Sequence, residues 1–86
     1  MFQLYISSAV EKRLADLQKK NPRLFQRFVA ALDRLSDNPF AGKRLVGNLK
    51  GYYSYRVGDY RIIYEINEGS KVVMIEKILH RREAYR

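Results

Sequence analysis

The segment from residue 52 to residue 80 constrains the fold more than any other part of the chain. It contains three runs rich in β-branched and aromatic residues, separated by two short polar segments that contain glycine, Gly58-Asp59 and residues 67–70. Such segments between apolar runs are typical of hairpin turns. The pattern therefore predicts an antiparallel β-meander, followed by a basic, aromatic tail from His80 onward.

The first turn predicts the register of the first hairpin. A two-residue loop at Gly58-Asp59 places Arg56 directly opposite Arg61. Like charges that face each other on a sheet oppose folding. The pair is easier to understand if a polyanion lies over it.

The second turn leads to a different interpretation of Arg61. A turn centred on Glu68-Gly69 pairs Ile66 with Lys71, and this register puts Glu76 opposite Arg61. Cross-strand ion pairs on exposed sheets are common, so Arg61 could equally be a salt-bridged structural residue. Both interpretations are open at this point.

The alternation of side chains along the strands predicts two unlike sheet faces. One face is apolar enough to pack on helices and contains Tyr60, Ile62, Tyr64, Ile66, Val73 and Ile75. The other face mixes charged and apolar side chains and is expected to be partly open: Arg56, Arg61, Ile63, Glu65, Met74, Glu76 and Ile78.

The N-terminal half predicts one strand and a helical hairpin. Residues 2–6 alternate between apolar and polar, as in a half-buried strand. A first helix begins at a capping box formed by Ser8 and Glu11 and runs to Lys20. Asn21-Pro22 begins a second helix, which ends at residues 37–39 and carries a wide apolar stripe.

These segments together predict an α+β fold. An N-terminal strand and an antiparallel two-helix hairpin precede an antiparallel sheet of three to four strands, which packs on the helices and ends in the basic tail. A helix-turn-helix DNA-binding motif is the less favoured interpretation of the helical pair. Its turn lacks the usual glycine, and the strands need its apolar stripe as their cover.

The loop between the helices and the meander carries further positive charge. Lys43, Arg44 and Lys50 lie among three glycines there. Glycine-flanked basic residues can bring both backbone and charge close to a phosphate, although the spacing is not that of a Walker loop. They are therefore candidate RNA-binding residues.

Length and composition restrict the class of protein. The chain has 86 residues, which suffice for a single domain, residues 1–86. It has no cysteine and one histidine, so the usual zinc sites cannot form and we expect no metal and no cofactor. No apolar run approaches the ~20 residues that span a bilayer, and the N-terminus lacks a signal-peptide pattern. We therefore expect a cytoplasmic protein that does not contact membranes.

The net charge points to an anionic partner. Seventeen Lys and Arg residues against nine Asp and Glu residues leave +8 at neutral pH. Such a density of charge favours nucleic acid, the ribosome or an acidic protein as a partner over a charge that serves only solubility.

Among reactions on such polyanions, cleavage of RNA fits the available residues best. No Ser-His-Asp or Cys-His arrangement can be built, whereas arginine can stabilise a dianionic phosphorane without a metal. His80 or Tyr85 could move protons, and Tyr85 could instead stack on a base. The other interpretation is that both are ordinary surface residues of the C-terminus.

Two sequence segments resemble those of a known toxin superfamily. The run from Tyr55 to Tyr64, Tyr-Arg-Val-Gly-Asp-Tyr-Arg-Ile-Ile-Tyr, is followed by His80-Arg-Arg-Glu-Ala-Tyr85. Both segments, and the order of predicted elements, are similar to the RelE/ParE superfamily of toxin–antitoxin modules. The resemblance implies a RelE-like toxin domain that partners an acidic, RelB-like antitoxin. The complex would bind operator DNA through that antitoxin.

The RelE branch implies specific roles for residues of the tail and meander. By this resemblance the protein is a metal-independent mRNA interferase that cuts mRNA in the ribosomal A site. Arg61 and Arg81 stabilise the transition state, Tyr85 orients or stacks on the RNA, and Arg56 and Arg82 contact RNA or the ribosome. RelE enzymes with a lysine-based mechanism have lysines where this chain has Tyr52 and Ser54, so Lys50 or His80 becomes the candidate general base.

The ParE branch gives an alternative function on the same scaffold. Its members inhibit DNA gyrase and cleave no RNA, and a shared fold does not decide between the branches. The missing strand lysines favour ParE, whereas Arg61, Arg81 and Tyr85 together favour RelE, which is the interpretation we prefer. A member that only binds its antitoxin and operator is a third class.

Overall fold

The structure, a computed structural model, describes residues 1–84 and has the predicted order of elements. The helices and strands are β1 Gln3–Ile6, α1 Ser8–Lys20, α2 Pro22–Asp37, β2 Lys43–Arg44, β3 Tyr52–Val57, β4 Tyr60–Asn67, β5 Val72–His80 and α3 Arg81–Ala84. Two short 3-10 turns, Pro39–Ala41 and Gly47–Leu49, flank β2. The predicted α+β architecture, with a strand and two helices before the meander, is confirmed.

The sheet is larger than predicted and is mixed. It has five strands in the order β1-β5-β4-β3-β2, rather than three to four antiparallel strands. The meander β3-β4-β5 is antiparallel as predicted, but β1 pairs in parallel with β5, matching Gln3 to Val72 and Ile6 to Ile75. The two-residue strand β2 extends the other edge.

The register of the first hairpin is confirmed, whereas that of the second is not. Val57 pairs with Tyr60 and Arg56 with Arg61, as the tight turn predicts. Arg61 lies opposite Leu79 rather than Glu76. Two features cause the difference: the second turn pairs Asn67 with Val72, and a β-bulge at Ile63/Tyr64 shifts the register further.

Both long helices begin at side-chain caps. Ser7, rather than the predicted Ser8, caps α1 by accepting the N–H of Val10, because β1 already ends at Ile6. Asn21 caps α2 as predicted, with Pro22 in the first turn. Within residues 1–84, no helix has the length and apolar character needed to cross a membrane.

The core lies between the helical pair and one face of the sheet. Ile62, Tyr64, Val73 and Ile75 are buried there, which confirms the predicted apolar face. Ile78 belongs to the same core, so its predicted place on the charged face is wrong. Pairing Ile78 with Ile62, on the far side of the bulge, turns it toward the helices. The helices add Val10, Phe28, Ala31, Leu32 and Leu35.

A buried tyrosine fastens the loop after α2 to the sheet. The Tyr64 hydroxyl donates to the carbonyl of Pro39 at 2.7 Å and accepts the N–H of Gly42 at 3.1 Å. Burial raises the pKa of the Tyr64 phenol to about 12, partly offset by the Gly42 hydrogen bond. The phenol is therefore a neutral structural group, and it places β2 beside β3.

Candidate functional site

The tip of the first hairpin brings two arginines together. Gly58 has a φ of 59°, and glycine at the first central position is what a type II′ turn requires. The tight turn sets Arg56 and Arg61 opposite each other on the sheet face away from the helices. Arg56 Nε donates to the Gly58 carbonyl at 3.1 Å, so this side chain folds over the turn.

Arg61 is not the salt-bridged sheet residue that one interpretation predicted. Glu76 lies at the bulge, away from Arg61, and within residues 1–84 no Asp or Glu forms an ion pair with Arg61. Its Nη1 donates instead to the Ser54 hydroxyl at 3.4 Å. The guanidinium thus keeps donors for an anionic ligand.

Arg81 reaches the same hairpin from the end of the chain. As the first residue of α3, it donates its backbone N–H to the Asp59 carbonyl at 2.6 Å. Its Nη1 lies 4.0 Å from Oδ1 of Asp59, and both side chains are 64% exposed. The backbone bond is what places Arg81 beside the turn, since an exposed ion pair at this distance is worth little.

A cavity of about 200 Å³ joins these groups. It is lined by Arg56, Gly58, Asp59, Tyr60, Arg61 and Arg81. We call it the arginine pocket. Three guanidinium groups and a single carboxylate surround it among the described residues, so its field favours an anion such as phosphate.

His80 belongs to a neighbouring cavity rather than to the arginine pocket. It pairs with Tyr60 across the sheet and its ring meets the Tyr60 ring edge-on at 5.1 Å, toward the helices. Its Nδ1 accepts the backbone N–H of Arg82 at 3.2 Å. A cavity of about 460 Å³ is lined by Asp59, His80, Arg81 and Arg82.

The remaining predicted basic residues are distributed along the edge of the sheet. Lys43 pairs with Ser54 and Arg44 with Tyr53, and both basic side chains are exposed. Lys50 is exposed and precedes β3, at the end of that strand far from the arginine pocket. Tyr85, a predicted catalytic residue, lies outside the described residues.

Sequence reasoning missed two residues at the site. Asp59 was assigned only to the turn, although the turn also puts its carboxylate beside Arg81. Arg27 of α2 lies against the hairpin tip, because a Cβ added at Gly58 would meet its Nη1 at 3.1 Å. The position of Asp59 in the predicted turn could have indicated its place at the site, whereas no local sequence feature of α2 indicates Arg27.

The geometry offers anion binding and no evident metal site. Within the described residues, no three His, Asp or Glu side chains cluster in a way that could hold a metal ion. What the arrangement supplies chemically is charge stabilisation of a phosphate by the arginines, with a carboxylate and an imidazole nearby.

Comparison with known proteins decides the family. The sequence model for the ParE toxin of the type II toxin–antitoxin system parDE matches residues 4–85. The chain belongs to this toxin family. The toxin is also 38% identical over 73 residues to Toxin RelG of Mycobacterium tuberculosis, a match that covers 83% of this chain and 84% of RelG.

Solved structures of RelE-type complexes share the fold of the toxin. The RelBE2 toxin–antitoxin complex of Mycobacterium tuberculosis matches with a TM-score of 0.79 and 30% identity, over 93% of this chain and 98% of the other. The archaeal RelE–RelB complex of Pyrococcus horikoshii matches with a TM-score of 0.75 and 30% identity, over 93% and 94%. The toxin is thus a RelE/ParE superfamily member that resembles the RelE branch most.

Proposed function

We propose that the toxin is an mRNA interferase, a ribosome-dependent endoribonuclease that inhibits translation in the cytoplasm without a metal or cofactor. The observation that carries this proposal is the arginine pocket, in which Arg61 and Arg81 line one cavity although 20 residues separate them. Because they border the same cavity, both side chains can contact one phosphate, which side chains in separate regions could not do.

The pocket suits the phosphorane formed during RNA cleavage. Arg61 and Arg81 supply planar guanidinium groups that stay charged and donate to phosphate oxygens. Arg56 faces Arg61 across the hairpin, and a bound phosphate relieves the repulsion between the two side chains. Donors held ready for the developing charge are typically worth 10²–10³-fold in rate.

Other predicted residues fit a path for RNA around the pocket. Arg82 lines the adjoining cavity with His80, and Lys43 of β2 pairs with Ser54 of β3, on the pocket's side of the sheet. Arg44 and Lys50 extend the positive charge along the edge, as phosphate contacts that carry no sequence information. Tyr85 keeps its proposed stacking role at the C-terminus.

An acidic, RelB-like antitoxin is the proposed regulatory partner. The two similar structures are toxin–antitoxin complexes by name, and the toxin carries a net charge of +8. We expect the antitoxin to cover the helical pair and the sheet, and to bring operator DNA to the complex. Electrostatic steering makes the association rate fall as salt is raised. A rate that is indifferent to ionic strength argues against this partner.

The nuclease is tested by toeprinting on translating ribosomes. The wild type is expected to cut mRNA, and Arg81→Ala is expected to lose 10²–10³-fold in rate. The alanine keeps the backbone N–H that bonds to Asp59, so the hairpin contact survives. Lys12→Ala, on the exposed surface of α1, removes the same charge away from the pocket and should cut normally.

A second candidate function is inhibition of DNA gyrase. Two observations favour it: the matching family model describes ParE toxins, and Tyr52 and Ser54 stand where lysine-based RelE enzymes have lysines. Intact mRNA on ribosomes, together with gyrase-linked DNA breaks in cells that express the toxin, would falsify the nuclease and support this candidate.

A further inference from the structure

The proposed nuclease needs a group that takes the proton from the attacking 2′-hydroxyl of RNA. The strand positions that face the pocket side of β3 offer none, since Tyr52 and Ser54 stand there and Ser54 is buried. Lys50 precedes β3, which begins at Tyr52, and Tyr52 is already four residues or about 13 Å along the strand from Arg56. We therefore exclude Tyr52, Ser54 and Lys50 as the general base at the arginine pocket.

Three other titratable side chains of β4 and β5 are also badly placed. Glu65 pairs with Met74, four residues along β4 from Arg61, and Glu76 lies at the bulge. His80 points toward the helices beside Tyr60, and its Nδ1 lone pair already accepts the N–H of Arg82. The imidazole therefore approaches the pocket from the wrong face of the sheet.

Asp59 meets the requirements that the other candidates fail. It lines the arginine pocket with Arg56, Arg61 and Arg81, and among the lining side chains of residues 1–82 it is the only carboxylate. Its Oδ1 lies 4.0 Å from Arg81 Nη1, so it stands next to a proposed phosphate-binding group. The side chain is 64% exposed, which leaves it open to an incoming ribose.

We propose that Asp59 is the general base of the nuclease, an assignment that rests on the proposed function. The Asp59 carboxylate accepts the 2′-hydroxyl proton while the 2′-oxygen forms a bond to phosphorus. Arg61, Arg56 and Arg81 stabilise the resulting dianionic phosphorane. The bond from phosphorus to the 5′-oxygen then breaks, and that oxygen takes a proton from water, whose hydroxide removes the proton held by Asp59. The products are a 2′,3′-cyclic phosphate and a 5′-hydroxyl.

The surroundings of Asp59 are compatible with this role. The charged and titratable groups that share its two cavities are Arg56, Tyr60, Arg61, Arg81, Arg82 and His80. A carboxylate can accept a proton, and the four arginines supply the positive charge that holds a phosphate beside it. General-base catalysis contributes about 10²–10⁴-fold to the rates of enzymes that use it.

The test compares Asp59→Asn with wild type on mRNA bound to translating ribosomes. Asparagine keeps the shape, suits a turn and retains the carbonyl that accepts the Arg81 N–H, but it cannot take the proton. We expect a loss of about 10²–10⁴-fold in cleavage rate. Affinity for RNA whose cleavage site carries a 2′-deoxyribose should be unchanged or tighter. Asp59→Glu, which restores a carboxylate, should keep part of the rate.

Controls separate this assignment from the proposed function. Asp33→Asn removes the charge of an exposed carboxylate on α2 and should cleave at the wild-type rate. If the wild type cleaves RNA and Asp59→Asn cleaves equally well, the assignment is overturned and the nuclease stands. If Asp59→Asn loses affinity in proportion to rate, its role is structural and the assignment also fails. A wild type that cleaves nothing overturns both proposals.

Discussion

Removal of the Tyr64 hydroxyl should destabilise the toxin without disturbing its surface. The Tyr64 side chain is 0% exposed, and its hydroxyl forms hydrogen bonds with both the Pro39 carbonyl and the Gly42 N–H. Tyr64→Phe keeps the ring, including its stacking on Tyr53 at 5.5 Å. The Pro39 carbonyl and the Gly42 N–H then lose their partner inside the fold.

The expected loss follows from those two contacts. A buried polar group left without its hydrogen-bond partner costs about 1–3 kcal/mol. Pro39 is buried and Gly42 is partly exposed, so solvent can satisfy only the latter. We expect the free energy of unfolding to fall by about 2 kcal/mol, which is a drop of roughly 8–16 °C in Tm for a domain of this size.

Urea unfolding followed by circular dichroism measures this loss. Tyr5→Phe, at a tyrosine that is 58% exposed, is the matched control and should change the free energy of unfolding by less than about 0.5 kcal/mol. If Tyr64→Phe matches that control with an unchanged urea m-value, the two hydrogen bonds of the Tyr64 hydroxyl do not stabilise the fold.

A second substitution tests the same contact from the other side. A Cβ at Gly42 would run into the Tyr64 hydroxyl oxygen and lie 2.9 Å from the Ser54 carbonyl oxygen. Gly42→Ala should therefore be destabilising in wild type and clearly less so in Tyr64→Phe, where the obstructing oxygen is gone. A double-mutant cycle with no coupling between the positions would contradict this packing.

Two further predictions concern pH and capping. Because the pKa of Tyr64 is about 12 in the folded state and 10 in the ordinary case, the unfolded chain loses this proton first. The contribution of Tyr64 to the free energy of unfolding is therefore fully present below pH 10. It falls by roughly 2–3 kcal/mol between pH 10 and pH 12. Unfolding curves of Tyr64→Phe should lack this pH dependence. Ser7→Ala removes the cap of α1 and the 2.8 Å bond to the Glu76 carbonyl, so it should cost about 1–2 kcal/mol in urea unfolding. Ser8→Ala should hardly change the free energy of unfolding. Equal losses for the two variants would show that Ser7 is not the N-cap of α1.

Local signals were sufficient for the hairpin and the second helix. Gly58-Asp59 can form a two-residue turn almost regardless of the rest of the chain, so the register of Arg56 against Arg61 was predictable. Asn21 and Pro22 likewise set the start of α2 within a few residues of sequence. In both cases the determining interactions lie close together along the chain.

Features that depend on distant contacts were not predictable. The sequence does not reveal the extra residue at the bulge or the shifted second turn, so Glu76 was placed opposite Arg61 and Ile78 on the wrong face. Ser7 and Ser8 are both plausible caps, and the bond from Ser7 to Glu76, 69 residues away, favours the first. The parallel pairing of β1 with β5 is equally non-local.

The difference between local and distant contacts also explains how much of the site could be predicted. The sequence motif indicated Arg61 and Arg81, but their meeting at one pocket depends on the bond from Arg81 N–H to the Asp59 carbonyl. His80 is adjacent to Arg81 in sequence, yet strand alternation turns its ring toward Tyr60. Both residues line the cavity of about 460 Å³, but only Arg81 also lines the arginine pocket, so a motif alone could not assign the base.

The alternation of side chains also places the core residues and the arginines of the pocket on opposite faces of the sheet. Arg56 and Arg61 lie on the open face of the sheet, whereas their chain neighbours Val57 and Ile62 lie in the core. Replacement of either arginine therefore leaves the packing of the core in place. The two like charges lower the stability of the free protein, and a bound anion removes that repulsion. The pair that is unfavourable for folding is thus favourable for binding phosphate, which accounts for its position at the tightest turn of the sheet.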